Sequence, residues 1–119
     1  MMKFGQIVLV PFPFAEHTHK KVRPAVVITE TADKYKDLVV SAISSVVPVS
    51  LSKREILVQS SKSNKLRSNS IIKVDRIITI KRNDIIAQLG LLSSAESELY
   101  RTTLIEMVSE HYSNSTKSK

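Results

Sequence analysis

The residues best suited to proton transfer lie in one short polar loop near the start of the chain. His17 and His19 stand two residues apart there, and Lys20 and Lys21 follow directly. An imidazole titrates close to neutral pH, so either histidine is a candidate general acid or base. A solvated loop with no catalytic part is the simpler interpretation of the same residues.

These histidines do not predict a metal site. The only other imidazole, that of His111, lies far away in sequence, and zinc requires three or four ligands in a defined geometry. The chain has no cysteine, which excludes thiol catalysis, iron–sulfur clusters and cysteine-based zinc sites. Its two glycines cannot form a P-loop or a dinucleotide-binding fingerprint. We therefore expect no metal and no cofactor.

A second group of candidate residues is cationic. Nine basic and two acidic residues lie between Lys53 and Arg82, so this segment carries the whole formal net charge of +7. Its loop at 60–70 is also rich in serine and asparagine, which suits contact with a phosphate backbone. The alternative is a flexible, solvated connector whose lysines keep an edge strand soluble.

The elements that must position these groups are mainly strands. Short β-branched runs bounded by proline, glycine or polar clusters predict strands at 5–10, 25–29, 38–43 and 55–59. A longer run at 70–80 mixes apolar and charged positions, which predicts a bend or bulge near Asp75. Residues 85–91 fit either a strand or a passage from helix to strand.

The end of the chain is predicted to be helical. Ser93 and Glu96 have the spacing of a capping box. An inward stripe is predicted from residues that recur every four positions, namely Ala95, Leu99, Thr103 and Met107. Five or six strands and one helix predict a mainly β, α+β domain at 1–112, a strongly bent antiparallel barrel followed by a polar tail at 113–119.

No stretch of the sequence predicts a membrane span. The longest apolar stretch, at 7–15, contains two prolines and is shorter than the ~20 residues that a spanning helix requires. We expect a cytoplasmic protein that does not bind membranes.

Several motifs, in order along residues 4–111, resemble the MazF/PemK-like toxins of bacterial type II toxin–antitoxin systems. The first is Gly5-Gln6-Ile7-Val8-Leu9-Val10-Pro11-Phe12-Pro13-Phe14 followed by Val22-Arg23-Pro24-Ala25-Val26-Val27-Ile28. The later ones are Ala42-Ile43-Ser44, the strand from Ser70 through Asp75 to Ile80, and Gln88-Leu89-Gly90-Leu91-Leu92-Ser93.

The resemblance implies an SH3-like barrel that acts as a homodimer, cleaves single-stranded RNA without metal and is silenced by a cognate antitoxin. The catalytic pair of the family falls on Arg23 and Ser44. The pool for RNA contacts consists of Lys20, Lys21, Lys53, Arg54, Lys62, Lys65, Arg67 and Arg76. The alternative for the pair is structural, with Arg23 in an ion pair with Glu30 or Glu16 and Ser44 as a strand-end cap.

The sequence departs from the family pattern at two positions. Gln6 stands where an aspartate is common, and Ser44 replaces the commoner threonine, which keeps the hydroxyl but loses a methyl group. Two other functions stay open. One is a toxin of the CcdB type, which shares the barrel and binds DNA gyrase, although the chain lacks the tryptophan that this resemblance implies. The other is an RNA-binding module without catalysis.

Overall fold

The β-branched runs of the sequence form one curled antiparallel sheet. The computed structural model describes residues 2–12 and 21–110. Its elements are β1 (Gln6–Phe12), β2 (Lys21–Glu30), β3 (Leu38–Ser44), β4 (Glu55–Val58), β5 (Ser70–Ile80), a 3-10 turn (Arg82–Asp84), β6 (Ala87–Leu91) and α1 (Ser94–Ser109). The predicted strands are confirmed, and the open segment at 85–91 contains strand β6.

The strands pair in the order β4-β5-β3-β2-β1-β6. The predicted bulge in β5 is confirmed, since its register with β3 shifts between Ser41, which pairs with Ile77, and Ala42, which pairs with Lys73. Skipping Val74 to Arg76 bends the long strand and lets one sheet curl into a half-barrel.

Each face of the sheet has its own apolar cluster. The first lies under α1 and joins Tyr100 to side chains such as Ile7, Val26 and Ile72, all fully buried. The second, on the other face, includes Val8, Val27 and Val40. The continuous apolar runs in β1 and β2 therefore reflect burial on both faces of the sheet.

The helix begins as predicted, and Thr103 and Met107 of the predicted stripe face the core. Ser93 and Glu96 make both hydrogen bonds of the capping box. The prediction was wrong for Ala95 and Leu99, which are exposed. Tyr100 and Thr103 are the buried residues of α1, because the Tyr100 hydroxyl reaches into the sheet and donates to Ser41 Oγ at 2.7 Å.

The loop at 60–70, which joins β4 to β5, crosses to the opposite edge of the sheet. The Leu91 backbone N–H donates to the Ser63 carbonyl at 3.0 Å. A Cβ atom added at Gly90 would lie 2.0 Å from that same carbonyl oxygen. Glycine is therefore required at position 90 for the loop to dock on β6.

Candidate functional site

A cavity of about 570 Å³ opens where the start of β2, the end of β3 and the loop at 60–70 meet. Clefts that bind small ligands usually measure about 300–1,000 Å³. The cavity therefore has room for a ligand of the size of a nucleotide.

The lining combines an apolar surface with a cationic one. The apolar residues are Leu9, Val22, Pro24, Ile43, Leu66 and Leu89. The polar residues are Arg23, Lys65 and Arg67 with Ser45, Ser68 and Ser70. No carboxylate is found among the described residues that line it. The cavity thus places three cationic side chains beside serine hydroxyls, and such groups suit an anion.

Arg23 reaches this cavity from the start of β2. It pairs with Val10 of β1 in the antiparallel ladder, and Pro24 follows it. The proline disfavours helical backbone at Arg23 and so fixes the direction from which the side chain starts. One of the two predicted catalytic residues therefore lies at the cavity.

Ser44 lies on the neighbouring strand end. The last residue pair between β2 and β3 on this side is Ala25 with Ala42, and Arg23 and Ser44 each lie two residues beyond it. The Ser44 hydroxyl accepts a hydrogen bond from the Val46 backbone N–H at 3.1 Å. A hydroxyl that accepts one bond can still donate its own hydrogen. Ser44 therefore lies at the same end of the β2–β3 pair as Arg23, but the serine of this strand end that lines the cavity is Ser45.

The loop at 60–70 is organised around the buried side chain of Asn64, which we call the hub. Its Oδ1 accepts from the backbone N–H groups of Ser61 and Leu66, each at 3.0 Å. Its Nδ2 donates to the Gln59 carbonyl at 2.8 Å, and its backbone N–H donates to Ser61 Oγ. The alternative interpretation of this loop was a flexible, solvated connector, whereas these bonds give the loop a defined conformation.

Lys65 follows the hub in the left-handed conformation, with φ of 57°. This backbone region is unfavourable for a lysine by roughly 1–2 kcal/mol. The neighbouring bonds of Asn64 hold it there, and Lys65 and Arg67 both line the cavity.

Two other predicted RNA contacts lie elsewhere and are already paired. Lys53 Nζ lies 2.6 Å from Glu110 Oε2, and Arg54 Nη2 lies 2.8 Å from Glu110 Oε1. The hydrogen bond from Lys53, followed by that from Arg54, lowers the pKa of Glu110. These three residues, which we call the Glu110 cluster, tie the loop before β4 to the residue that ends α1.

The remaining predicted residues are scattered. Lys21, Lys62 and Arg76 are exposed and do not line the cavity. Glu30, proposed as an ion-pair partner of Arg23, is bonded by Arg82. His17, His19, Lys20 and Glu16 lie outside the described residues, as does the tail at 113–119.

Residues 2–12 and 21–110 offer neither a metal site nor a membrane span. They contain no group of three or more histidine, aspartate and glutamate side chains able to hold a metal ion. They contain no helix long and apolar enough to cross a bilayer.

Sequence reasoning did not find the hub or the apolar side of the cavity. The loop's composition indicated phosphate binding, but nothing in it shows which asparagine is buried. Leu66 and Leu89 come from distant segments and meet only because the loop docks on β6.

The fold is that of known toxins. Solved structures similar to this chain include an endoribonuclease in complex with its cognate antitoxin from a mycobacterial species, at 13% identity and a TM-score of 0.71, covering 94% of this chain and 99% of that one. The Mycobacterium tuberculosis toxin MazF-mt6 is similar at 17% identity and a TM-score of 0.68, covering 90% of this chain and 99% of that one. MazF from Deinococcus radiodurans is similar at 17% identity and a TM-score of 0.69, covering 92% of this chain and 97% of that one.

The sequence identifies the family. Residues 3–108 match the PemK-like, MazF-like toxins of type II toxin–antitoxin systems, and the chain belongs to that family. A comparison with curated proteins finds no match.

Proposed function

We propose that this chain is the toxin of a toxin–antitoxin pair and that it cleaves single-stranded RNA without a metal ion. The observation that carries the proposal is the cavity, which gathers Arg23, Lys65 and Arg67 beside the end of β3. A cluster of three cationic side chains suits a phosphodiester backbone. Membership of the MazF-like family supports the same class of substrate.

In this reaction the RNA supplies its own nucleophile. The 2′-oxygen attacks the adjacent phosphorus and the bond from phosphorus to the 5′-oxygen of the next nucleotide breaks. The products are a 2′,3′-cyclic phosphate and a 5′-hydroxyl, so one proton leaves the 2′-hydroxyl and one joins the departing oxygen. The protein must help these transfers and stabilise the charge that develops on the phosphoryl oxygens.

Arg23 is assigned to the developing charge. Its planar guanidinium donates two parallel hydrogen bonds to phosphate oxygens and stays protonated, which excludes it as a base. Ser44 is assigned to the scissile phosphate or the 2′-hydroxyl, because its hydroxyl hydrogen can be donated while Val46 N–H occupies a lone pair.

His17 and His19 are the candidates for proton transfer. An imidazole is the side chain best suited to proton transfer near neutral pH, and the loop precedes Arg23 in sequence. A His17→Ala, His19→Ala double variant is expected to alter the pH–rate profile. An unchanged profile would remove both residues from the mechanism.

The proposal includes the partners of such a toxin. We expect a homodimer in the cytoplasm that is silenced by a cognate antitoxin, an acidic segment that folds onto the basic surface and competes with RNA. The similar mycobacterial structure, which contains a cognate antitoxin, supports this partner.

The decisive experiment is cleavage of single-stranded RNA in EDTA by the pure protein. We expect cleavage at short sequences that leaves 2′,3′-cyclic phosphate ends, and a loss of about 10³-fold or more in kcat for Arg23→Ala. Arg101→Ala is the matched control, because Arg101 is an exposed residue of α1 that lies over the Phe4 ring and does not line the cavity. This variant should keep full activity. RNA that binds but stays intact would favour the non-catalytic RNA-binding module.

A further inference from the structure

The apolar side of the cavity has no role in holding phosphate. Leu9, Leu66 and Leu89 line it together with Ile43, which is 2% exposed and belongs to the core cluster under α1. This surface, which we call the floor, is a fixed apolar wall directly beside three cations. A ligand that fills the cavity therefore combines an apolar, flat part with an anionic part.

We propose that the cavity is a subsite for one unpaired nucleotide of the RNA, with its base on the floor and a flanking phosphate held by Lys65 and Arg67. The inference rests on the proposed function, since it takes RNA to be the substrate. The new element is that the protein recognises one base beside the cleaved bond by burying it against the floor.

An unpaired nucleotide fits both parts of the cavity. Its base offers an apolar face that Leu66 and Leu89 can shield from water, in place of the aromatic rings on which splayed-out RNA bases commonly stack. Its phosphate is anionic and faces no carboxylate in the described lining. The hydroxyls of Ser45 and Ser68 can bond the polar edges of the base, whereas the Ser70 hydroxyl already donates to the Ser68 carbonyl.

The loop that carries Lys65 and Arg67 already has its conformation before RNA binds, and Asn64 is the positioning residue responsible. Its bonds to Ser61, Leu66 and Gln59 fix the backbone on both sides of Lys65. A cation held in place loses less conformational entropy on binding than one on a mobile loop. The left-handed φ of Lys65, 57°, is maintained by this arrangement.

The subsite is tested with RNA in which one base at a time is removed. Binding of uncleavable RNA, carrying a 2′-deoxy group at the cleaved bond, is measured for the wild type with an abasic unit at each successive position. We expect one position to lose affinity by about fivefold or more, the lower end of the range for a base stacked on an aromatic ring, because the floor is aliphatic.

Two variants of β6 show whether the cavity causes that loss. Leu89→Asn keeps the side-chain size and the charge but makes the floor polar. In this variant, removal of the base at the sensitive position should lower affinity by less than about threefold. Leu91→Asn is the matched control, because Leu91 lies two residues further on, is 47% exposed and does not line the cavity. It should keep the wild-type profile.

The outcomes separate the two proposals. RNA cleavage with a flat abasic profile, or a profile that Leu89→Asn leaves unchanged, would overturn the subsite while the proposed function stands. A protein that neither binds nor cleaves any RNA would overturn both.

The role of Asn64 is tested by the salt dependence of binding, which a loss of fold stability alone does not change in the folded protein. The slope of log affinity against log salt falls by about 0.7 for each phosphate of a single strand that the protein no longer neutralises. Asn64→Ala should lower it by up to about 1.4 although Lys65 and Arg67 remain. Ser61→Ala, which removes the hydroxyl bonded to the Asn64 N–H, is the milder variant and should shift it in the same direction. An unchanged slope in either folded variant would overturn this role.

Discussion

Two pairs of cations, twelve residues apart in the same basic segment, have different surroundings. Lys53 and Arg54 both bind the carboxylate of Glu110. Lys65 and Arg67 line the cavity together with Arg23, and no carboxylate shares the described lining. In the sequence the two pairs look equivalent, yet the first holds the helix end against the sheet and the second faces an open site. The net charge of the segment therefore predicts an anionic partner. Ion pairs within the protein decide which of its cations bind that partner.

The largest effect on RNA binding is expected from removing each pair in turn. Lys65→Ala/Arg67→Ala should weaken RNA binding about 10- to 100-fold at low salt and lower the salt slope by about 1.4, because two phosphates are no longer neutralised. Lys53→Ala/Arg54→Ala removes the same charge and should leave the slope nearly unchanged. Fluorescence anisotropy over a series of salt concentrations measures both. Equal losses in the two double variants would remove the distinction between the pairs.

The second effect concerns the two neighbouring serines at the end of β3. Ser44→Ala should lower kcat about 10²-fold or more if its hydroxyl contacts the scissile phosphate, whereas Ser45→Ala should mainly raise KM. Single-turnover cleavage with each variant separates the two parameters. The reverse result would move the catalytic role to Ser45, the serine that lines the cavity.

A smaller effect is expected when the paired cations are released. Glu110→Gln leaves Lys53 and Arg54 without their carboxylate, so non-specific RNA affinity should rise about two- to fivefold and the salt slope should steepen. The cleavage sequence should stay the same, since the cavity is untouched. Unchanged binding would mean that geometry, and not Glu110, keeps these cations from RNA.

Lys65 offers a test in which stability and binding move in opposite directions. Lys65→Gly relieves a left-handed residue, so it should raise stability by about 0.5–1 kcal/mol while weakening RNA binding. Lys36→Gly is the matched control, because Lys36 has φ of 53° and does not line the cavity. Lys36→Gly should give the same gain in stability, measured by thermal unfolding, and should keep full RNA affinity. Weakened binding in both would assign the effect to the backbone.

The smallest effect is a pH dependence of stability. The pKa of Glu110 lies below its ordinary value of 4.5 in the folded protein, so its ion pairs stabilise the fold above that pH and are lost as pH falls through the lowered pKa. The Tm difference between wild type and Glu110→Gln should be present at pH 7 and shrink towards zero in acid. A difference that persists in acid would contradict this assignment.

Most of the fold could be predicted from local patterns. β-branched runs gave the strands, mixed polarity gave the bulge near Asp75, and Ser93 with Glu96 gave the helix start. The inward stripe of α1 was partly wrong because periodicity does not show which face meets the sheet. Tyr100 decides that, through its buried bond to Ser41.

The site was less predictable than the fold. Lys65 and Arg67 were among eight cations that sequence alone treated alike, and Arg23 and Ser44 came from family resemblance. Glu110 was not expected to pair with Lys53, because the two are 57 residues apart and meet only after α1 packs. The apolar floor depends on the long-range docking of the loop on β6. The bonds of the Asn64 hub are local, but composition does not show which asparagine of the loop is buried.

The most direct measurement is photo-crosslinking of uncleavable RNA that carries 4-thiouridine, with the attachment sites mapped by mass spectrometry. We predict that crosslinks fall in the strand start at 22–24 and the loop at 65–70. We also predict that Lys65→Ala/Arg67→Ala strongly reduces them at the same RNA concentration. Crosslinks concentrated at Lys53, Arg54 and the end of α1, with the cavity residues unlabelled, would contradict it.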